Sequence, residues 1–167
     1  MATITLRGNE IHTNGELPAV GSDAPLFTLT GSDLSPLSAS DFKGKKVVLN
    51  ISPSLDTGVC AIMAKKFNAE ASKGLGATVI CITKDLPFAQ KRFCEAEGLE
   101  DVLTAADYKN SDFAEAYGTL VVDGPMAGLH SRAIVIVNEE GNVIYTEQVP
   151  EIAQEPDFEA ALNAIKG

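Results

Sequence analysis

The sequence predicts an α/β fold in which a central mixed β-sheet is flanked by helices, with a β-hairpin at the N-terminus. Two near-continuous apolar runs, at 46–51 and 77–82, have the composition of central strands that are covered on both faces. Each run is followed by a segment whose apolar residues recur at three- and four-residue spacing, which is typical of amphipathic helices. Two later apolar segments, at 133–137 and 143–146, flank a short turn that contains Gly141 and therefore predict a second hairpin.

The segments before the first central strand show weaker patterns. Residues 3–6 and 10–13 alternate around a Gly-Asn pair and predict the N-terminal hairpin. Residues 15–25 form a connector that contains proline and glycine, and residues 27–30 fit a short strand. From there to Gly44 the chain is rich in turn residues, so we expect no regular element in that stretch.

The remaining elements follow from spacing and from the residues that begin or end helices. The first helix is expected over 59–74, and the second is expected to begin at Asp85 as its cap and to end near Gly98. A strand at 102–104, a helix at 111–117 and a C-terminal amphipathic helix complete the chain. Strand–helix–strand–helix followed by a hairpin and a final helix is the order of a thioredoxin-like fold. The first two central strands should then be parallel and the late hairpin antiparallel.

Length and charge restrict the classes of function. A chain of 167 residues with no linker or internal repeat predicts one domain, residues 1–167. The net charge of −10 argues against nucleic acid or an anionic membrane surface as the main partner. No apolar stretch approaches the ~20 residues that span a bilayer, and the N-terminus lacks the features of a secretory signal. We therefore expect a cytoplasmic protein.

Cys60 is the residue that says most about chemistry, because it falls in the first turn of the first predicted helix. Unpaired N–H groups and the helix dipole favour the thiolate at that position, and the thiolate is the nucleophilic form. Pro53 ends the preceding strand, because proline cannot donate to a strand ladder. Asp56 or Thr57 can cap the helix, and a Thr57 cap would lie about one turn from the sulfur. From position alone, an unreactive core cysteine remains the alternative.

The other cysteines have different surroundings. Cys81 lies inside the second apolar strand, where we expect an inert core residue. Cys94 lies on the second predicted helix, and pairing with Cys60 would require Cα atoms within ~7 Å, a distance that the sequence leaves open. Three cysteines fit no structural disulfide framework, and no Cys-x-x-Cys pair occurs. The two histidines are far apart and lack metal-ligand spacing, which argues against a zinc site.

Pro53, Thr57 and Cys60 together match Pro-x-x-x-Thr-x-x-Cys, the signature of the peroxiredoxins. The chain resembles the thiol peroxidase subfamily of atypical two-cysteine peroxiredoxins over essentially its full length. Further segments that carry this resemblance are DTGVC at 56–60, DLPFAQ at 85–90, RFC at 92–94 and DGP at 123–125.

The resemblance implies a role for each matching residue. Cys60 corresponds to the peroxidatic cysteine, which attacks the O–O bond of hydrogen peroxide or an organic hydroperoxide and becomes a sulfenic acid. Cys94 corresponds to the resolving cysteine, which then forms an intramolecular disulfide with Cys60. Thr57 and Arg132 correspond to the groups that activate the thiolate and polarise the peroxide, and Pro53 to the residue that shields the pocket. Composition alone would leave Arg132 an ordinary surface arginine.

The resemblance also implies a homodimer that thioredoxin recycles and that needs no metal, haem or flavin. Two other functions stay open at this point. A general thiol–disulfide oxidoreductase of the thioredoxin type would share the fold, but the chain lacks its Cys-x-x-Cys pair. A peroxide-sensing redox switch would share the first chemical steps and differ only in turnover.

Overall fold

The computed structural model describes residues 1–167, which form nine strands and four α-helices. The strands are β1 (Thr3–Leu6), β2 (Asn9–His12), β3 (Thr28–Gly31), β4 (Pro36–Ser38), β5 (Val47–Ile51), β6 (Thr78–Thr83), β7 (Leu103–Ala106), β8 (Ala133–Val137) and β9 (Val143–Gln148). The helices are α1 (Gly58–Ser72), α2 (Pro87–Glu97), α3 (Asp112–Tyr117) and α4 (Phe158–Lys166). None of these helices combines the length and apolarity needed to cross a membrane.

The sheet confirms the predicted mixed topology. β1 and β2 form a separate antiparallel hairpin, and the other seven strands lie in the order β4-β3-β7-β6-β5-β8-β9. β5 pairs in parallel with β6, and β6 with β7, because helices cross over between them. β8 pairs antiparallel with both β5 and β9, so the late hairpin is also confirmed. This arrangement is the predicted thioredoxin-like fold.

The structure differs from the prediction between β3 and β5. The stretch interpreted as turns contains β4, which pairs antiparallel with β3, and a short 3-10 helix at Ala39–Phe42. β4 has three residues and begins with Pro36, which an edge strand tolerates because one side of its backbone has no partner. Such a short, proline-containing strand has no alternating pattern by which it can be predicted.

Two apolar cores lie on opposite faces of the sheet. On one face, Val48 packs with Phe67 of α1 and Leu162 of α4. On the other face, Leu49 packs with Phe113 of α3. Neighbouring residues of β5 therefore face different cores, which is the side-chain alternation of a strand. Because both faces are covered, the strand is almost entirely apolar in sequence, with Asn50 as its one polar residue.

The helices α1 and α2 begin at the same edge of the sheet, because each follows the carboxyl end of one of two parallel strands. They are neighbours: Lys65 Nζ of α1 lies 2.8 Å from Glu97 Oε2 of α2. The N–H of Asp101 donates to Asn68 Oδ1 at 2.8 Å, which joins the end of α2 to the same helix. In open α/β sheets this edge is where ligands bind.

The N-terminal hairpin packs against the segment that follows β9. The N–H of Thr5 donates to the Pro150 carbonyl at 2.8 Å, and the N–H of Ile152 donates to the Thr5 carbonyl at 2.9 Å. Glu151 Oε1 accepts a hydrogen bond from the N–H of Gly8 at 2.9 Å. A third apolar cluster covers the contact and consists of Ile4, Ile11, Val121 and Ile152. The N-terminal hairpin is thus held beside the main sheet by residues 150–152.

Candidate active site

Cys60 is the third residue of α1 and lies at the carboxyl edge of the parallel strands. The first hydrogen bond of this helix runs from the N–H of Ala61 to the carbonyl of Thr57, at 3.1 Å. The N–H groups before Ala61 therefore have no helical partner and leave this end partly positive. Cys60 is only 1% exposed, so its sulfur lies in a largely water-excluded environment at a positive helix end.

Arg132 contacts this sulfur directly. Its Nη1 donates to Cys60 Sγ at 2.8 Å, and its Nε donates to the carbonyl of Ile152 at 2.6 Å. The guanidinium is 4% exposed, and these two hydrogen bonds fix the direction of its planar fork. A sulfur that meets both a buried cation and a helix N-terminus has the electropositive surroundings typical of reactive cysteines. The structure thus brings together two of the predicted site residues, Cys60 and Arg132.

Pro53 and Thr57 lie on the connection between β5 and α1. Pro53 is buried two residues after the end of β5. Of the two predicted caps, Thr57 occupies the N-cap position, but its side chain does not cap the helix. Its hydroxyl donates instead to the carbonyl of Ser54 at 3.0 Å. Because the hydroxyl proton is used there, the Thr57 oxygen has lone pairs left to accept a hydrogen bond.

Asp85 does not cap α2, so that prediction is wrong. The N-cap is Leu86, and Pro87 at the first helical position has no N–H that needs a partner. The Asp85 carboxylate accepts hydrogen bonds from the connection before α1 instead, namely from Ser54 Oγ and from the N–H of Leu55, both at 2.7 Å. Ser54 Oγ and the Leu55 N–H have no other partner in a sheet or helix. The first turn of α2 has one N–H fewer to cap, because Pro87 has none.

Cys94 lies apart from Cys60. It is half-buried on α2 and lines a cleft of 560 Å³ between this helix and the turn from β3 to β4. Burial raises the pKa of the Cys94 thiol, and the neighbouring Glu95 carboxylate adds to the rise. Cys60 faces Arg132 beside β8, which is separated from the β7 side of the sheet by β5 and β6. All three cysteines are free.

Comparison with known proteins identifies the family. Residues 19–162 match the redoxin family. The chain belongs to the redoxin family. This redoxin is similar to proteins named thiol peroxidase from Mycobacterium bovis and Mycobacterium tuberculosis, with 61% identity over 165 residues that cover 99% of this chain and 99% of each relative. The resemblance to thiol peroxidases is thereby confirmed.

Solved structures have the same architecture as this redoxin. A peroxiredoxin-like protein from Aquifex aeolicus superposes with a TM-score of 0.93 at 37% identity, covering 99% of this chain and 96% of the other. A thiol peroxidase from Chromobacterium violaceum superposes with a TM-score of 0.91 at 20% identity and the same coverage. At 20% identity the second likeness is one of fold alone.

Cys81 of this redoxin is confirmed as a core residue. It is fully buried in β6, where its sulfur accepts a hydrogen bond from Asn50 Nδ2 at 3.6 Å. Burial raises the pKa of the Cys81 thiol to about 12. At neutral pH this sulfur is therefore protonated and unreactive.

We expect Cys81→Ser to leave the rate of Cys60 oxidation at the parent value. The free energy of unfolding should fall by about 1–3 kcal/mol, because a hydroxyl replaces sulfur in an apolar core. Stopped-flow oxidation by hydrogen peroxide and urea titration measure the two effects, and Cys81→Ala separates lost volume from added polarity. A folded Cys81→Ser protein that no longer reacts with peroxide would contradict this assignment.

A buried polar network of this redoxin has no counterpart in the sequence prediction. His130 Nε2 lies 2.8 Å from Asp107 Oδ2, which also lies 3.2 Å from Lys84 Nζ. Burial lowers the pKa of His130 despite the adjacent carboxylate. The network joins β6 and β7 to the segment before Arg132, and its members are too far apart in sequence to form a motif. No group of three His, Cys, Asp or Glu side chains has the arrangement of a metal site.

Proposed function

We propose that this redoxin is a thiol peroxidase that reduces hydrogen peroxide and organic hydroperoxides through Cys60. The observation that carries the proposal is the 2.8 Å hydrogen bond from Arg132 Nη1 to Cys60 Sγ at the N-terminus of α1. It supplies a stabilised thiolate together with a fixed cation beside it. The names of relatives that are 61% identical over nearly the whole chain support the same activity.

In the oxidation step, the Cys60 thiolate attacks one peroxide oxygen. An S–O bond forms, the O–O bond breaks, and the leaving oxygen takes a proton and departs as water or an alcohol, leaving Cys60 as a sulfenic acid. Negative charge moves from sulfur to the leaving oxygen, and the guanidinium N–H groups of Arg132 that are not bonded to Cys60 Sγ or the Ile152 carbonyl stabilise that oxygen in the transition state. Thr57 Oγ1 accepts the hydrogen bond of the peroxide hydroxyl and orients it. Buried Pro53 keeps water from the reacting atoms.

In the resolution step, Cys94 gives up its thiol proton and its sulfur attacks the Cys60 sulfenic sulfur. An S–S bond forms, the S–O bond breaks, and water leaves with the thiol proton. Cys60 is nearly inaccessible and faces Arg132, so this step requires the first turn of α1 to open, and helix ends are where such opening costs least. The raised pKa of Cys94 keeps it protonated at neutral pH, which leaves Cys60 as the sulfur that peroxide oxidises first. Thioredoxin then reduces the disulfide.

We further infer that residues 1–167 act as one domain and pair as a homodimer. The hydrogen bonds between Thr5 and residues 150–152 support the first inference, because they join the hairpin to the rest of the chain. Exposed apolar side chains at the start of α2, Leu86 and Phe88, support the second, since protein contacts commonly cover such surface. The cytoplasmic location stays a prediction.

The proposal is tested by peroxide turnover with thioredoxin, thioredoxin reductase and NADPH, using hydrogen peroxide and an alkyl hydroperoxide in parallel. A thiol peroxidase consumes many equivalents of peroxide per chain. Consumption of about one equivalent, with the disulfide accumulating, would identify the peroxide-sensing switch instead. Disulfide exchange without peroxide consumption would identify a general oxidoreductase.

We expect Arg132→Lys to slow the oxidation of Cys60 about 10- to 100-fold, the effect of losing one hydrogen bond to a charged group. Lysine keeps the charge, but its single nitrogen cannot reach both Cys60 Sγ and the Ile152 carbonyl as the guanidinium does. The rate is measured by stopped-flow with the fold checked by circular dichroism. Arg7→Lys, the same change at an exposed arginine of the N-terminal hairpin, serves as the control, and a parent-like rate in Arg132→Lys would exclude the proposed role.

A further inference from the structure

We propose that Asp85 is a positioning residue that holds the connection between β5 and α1 in its peroxide-reactive arrangement and must release it before Cys60 can meet Cys94. The inference rests on the proposed function. In one arrangement Cys60 stays beside Arg132, and in the other Cys60 can meet Cys94.

The Asp85 carboxylate accepts three hydrogen bonds. Two come from the connection before α1, from Ser54 Oγ to Oδ1 and from the N–H of Leu55 to Oδ2, both at 2.7 Å. The third comes from Thr83 Oγ1 at the end of β6, at 2.8 Å. An ionised carboxylate makes such hydrogen bonds roughly twice as strong as neutral ones. Asp85 thereby fixes the connection to the strand that leads into α2.

No other group outside α1 holds this connection by a hydrogen bond. Ser52 is still part of the sheet, because its N–H donates to the Ile82 carbonyl at 3.0 Å. From Pro53 to Thr57, the remaining hydrogen bonds are internal, such as Thr57 Oγ1 to the Ser54 carbonyl, or belong to the start of α1. Apart from the packing of buried Pro53 and Leu55, the attachment of the segment that leads into Cys60 therefore rests on one side chain.

The same carboxylate is connected to the helix that carries Cys94. Gln90 of α2 is completely buried, and its Nε2 donates to Thr83 Oγ1 at 3.1 Å and to the Ala105 carbonyl at 3.0 Å. Gln90 lies one helical turn before Cys94, so a continuous row of hydrogen bonds runs from the Cys94 helix through Thr83 and Asp85 to the Cys60 connection. The row spans the two segments that the resolution step must bring together.

Its position allows Asp85 to act as a reversible contact. Asp85 is half-buried and contacts no lysine or arginine, so water can take over its hydrogen bonds when the connection moves away. While the contact holds, Cys60 stays beside Arg132. When it opens, the first turn of α1 can unwind and the Cys60 sulfenic acid becomes available to the Cys94 thiol.

Two reactions compete for that sulfenic acid, and their ratio reports on the contact. With the contact closed, a second peroxide oxidises the sulfenic acid to sulfinic acid and leaves as water or alcohol. With the contact open, Cys94 displaces water and forms the disulfide. Asn at position 85 has one acceptor oxygen and cannot accept from Ser54, Leu55 and Thr83 together. Asp85→Asn should therefore shift the population towards the open arrangement.

The experiment exposes reduced parent and Asp85→Asn proteins to a series of hydrogen peroxide concentrations without reductant. Peptide mass spectrometry gives the ratio of Cys60 sulfinic acid to the 60–94 disulfide, and stopped-flow gives the rate of the first oxidation. We expect the ratio to fall about tenfold in Asp85→Asn, the effect of one lost hydrogen bond to a charged group. The rate of the first oxidation should fall by a smaller factor, because it follows the fraction of protein in the closed arrangement. Ser54→Ala, which removes one donor to Asp85, should change both in the same direction by a smaller factor.

Asp56→Asn is the matched control, because it removes the same charge from the same connection at an exposed side chain that makes no hydrogen bond. It should behave as the parent in both measurements. A lower melting temperature in Asp85→Asn with an unchanged ratio would overturn the proposal, because a purely structural residue behaves in that way. An increased ratio would overturn it as well. Absence of peroxide consumption by the parent would instead overturn the proposed function.

Discussion

Replacing Cys60 with serine will abolish peroxide turnover. The serine hydroxyl stays protonated at neutral pH even beside Arg132, so no nucleophile remains at the position that the guanidinium and the helix N-terminus activate. We expect the thioredoxin-coupled rate to fall on the order of 10⁴-fold or more, as it does when an enzyme loses its nucleophile. Loss of NADPH absorbance and direct peroxide assay measure the effect.

Cys81→Ser is the control for this substitution, because it makes the same chemical change at a buried cysteine that does not contact Arg132. Its turnover should equal that of the parent. Appreciable thioredoxin-dependent peroxide consumption by Cys60→Ser would assign the reaction to another sulfur and remove Cys60 from its proposed role.

Replacing Cys94 with serine will separate the two halves of the cycle. The first equivalent of peroxide should be consumed at the parent rate, because Cys60 and Arg132 are untouched. Turnover with thioredoxin should then fall at least about 100-fold, since no Cys60–Cys94 disulfide exists for the reductant to attack. As peroxide rises, the Cys60 peptide should gain first one and then two oxygen atoms by mass.

The oxidised parent provides the complementary observation. Peptide mapping without reductant should show residues 60 and 94 cross-linked within one chain, and reduction should remove the cross-link. A disulfide between two chains, or one that includes Cys81, would be incompatible with the resolution step proposed for Cys94.

Local sequence patterns were sufficient to predict the central strands, which are covered on both faces of the sheet. β5 and β6 are nearly continuously apolar because each face meets its own core. A short connection that contains Pro53 joins β5 to α1, so the place of Cys60 in the first turn of α1 was predictable. β4 was not predictable, since a three-residue edge strand that starts with Pro36 has neither length nor alternation.

The contacts that complete the site come from distant parts of the chain. Arg132 lies 72 residues after Cys60 in the chain, and only the resemblance to the peroxiredoxins distinguished it from other arginines in the sequence. Asp85 had the residue type and position of a helix cap, but tertiary donors at Ser54 and Leu55 compete for the same carboxylate. The carbonyl of Ile152 cannot be identified from sequence at all, because every residue has a carbonyl group.

The support behind Arg132 has a consequence for the order in which the chain is made. Synthesis produces Cys60 early, its arginine 72 residues later, and the Ile152 carbonyl that orients the arginine 20 residues after that. Until then the emerging chain contains Cys60 without the guanidinium that contacts it. The Cys60 site is therefore one of the last parts of the fold to be completed, after nearly the whole chain has been synthesised.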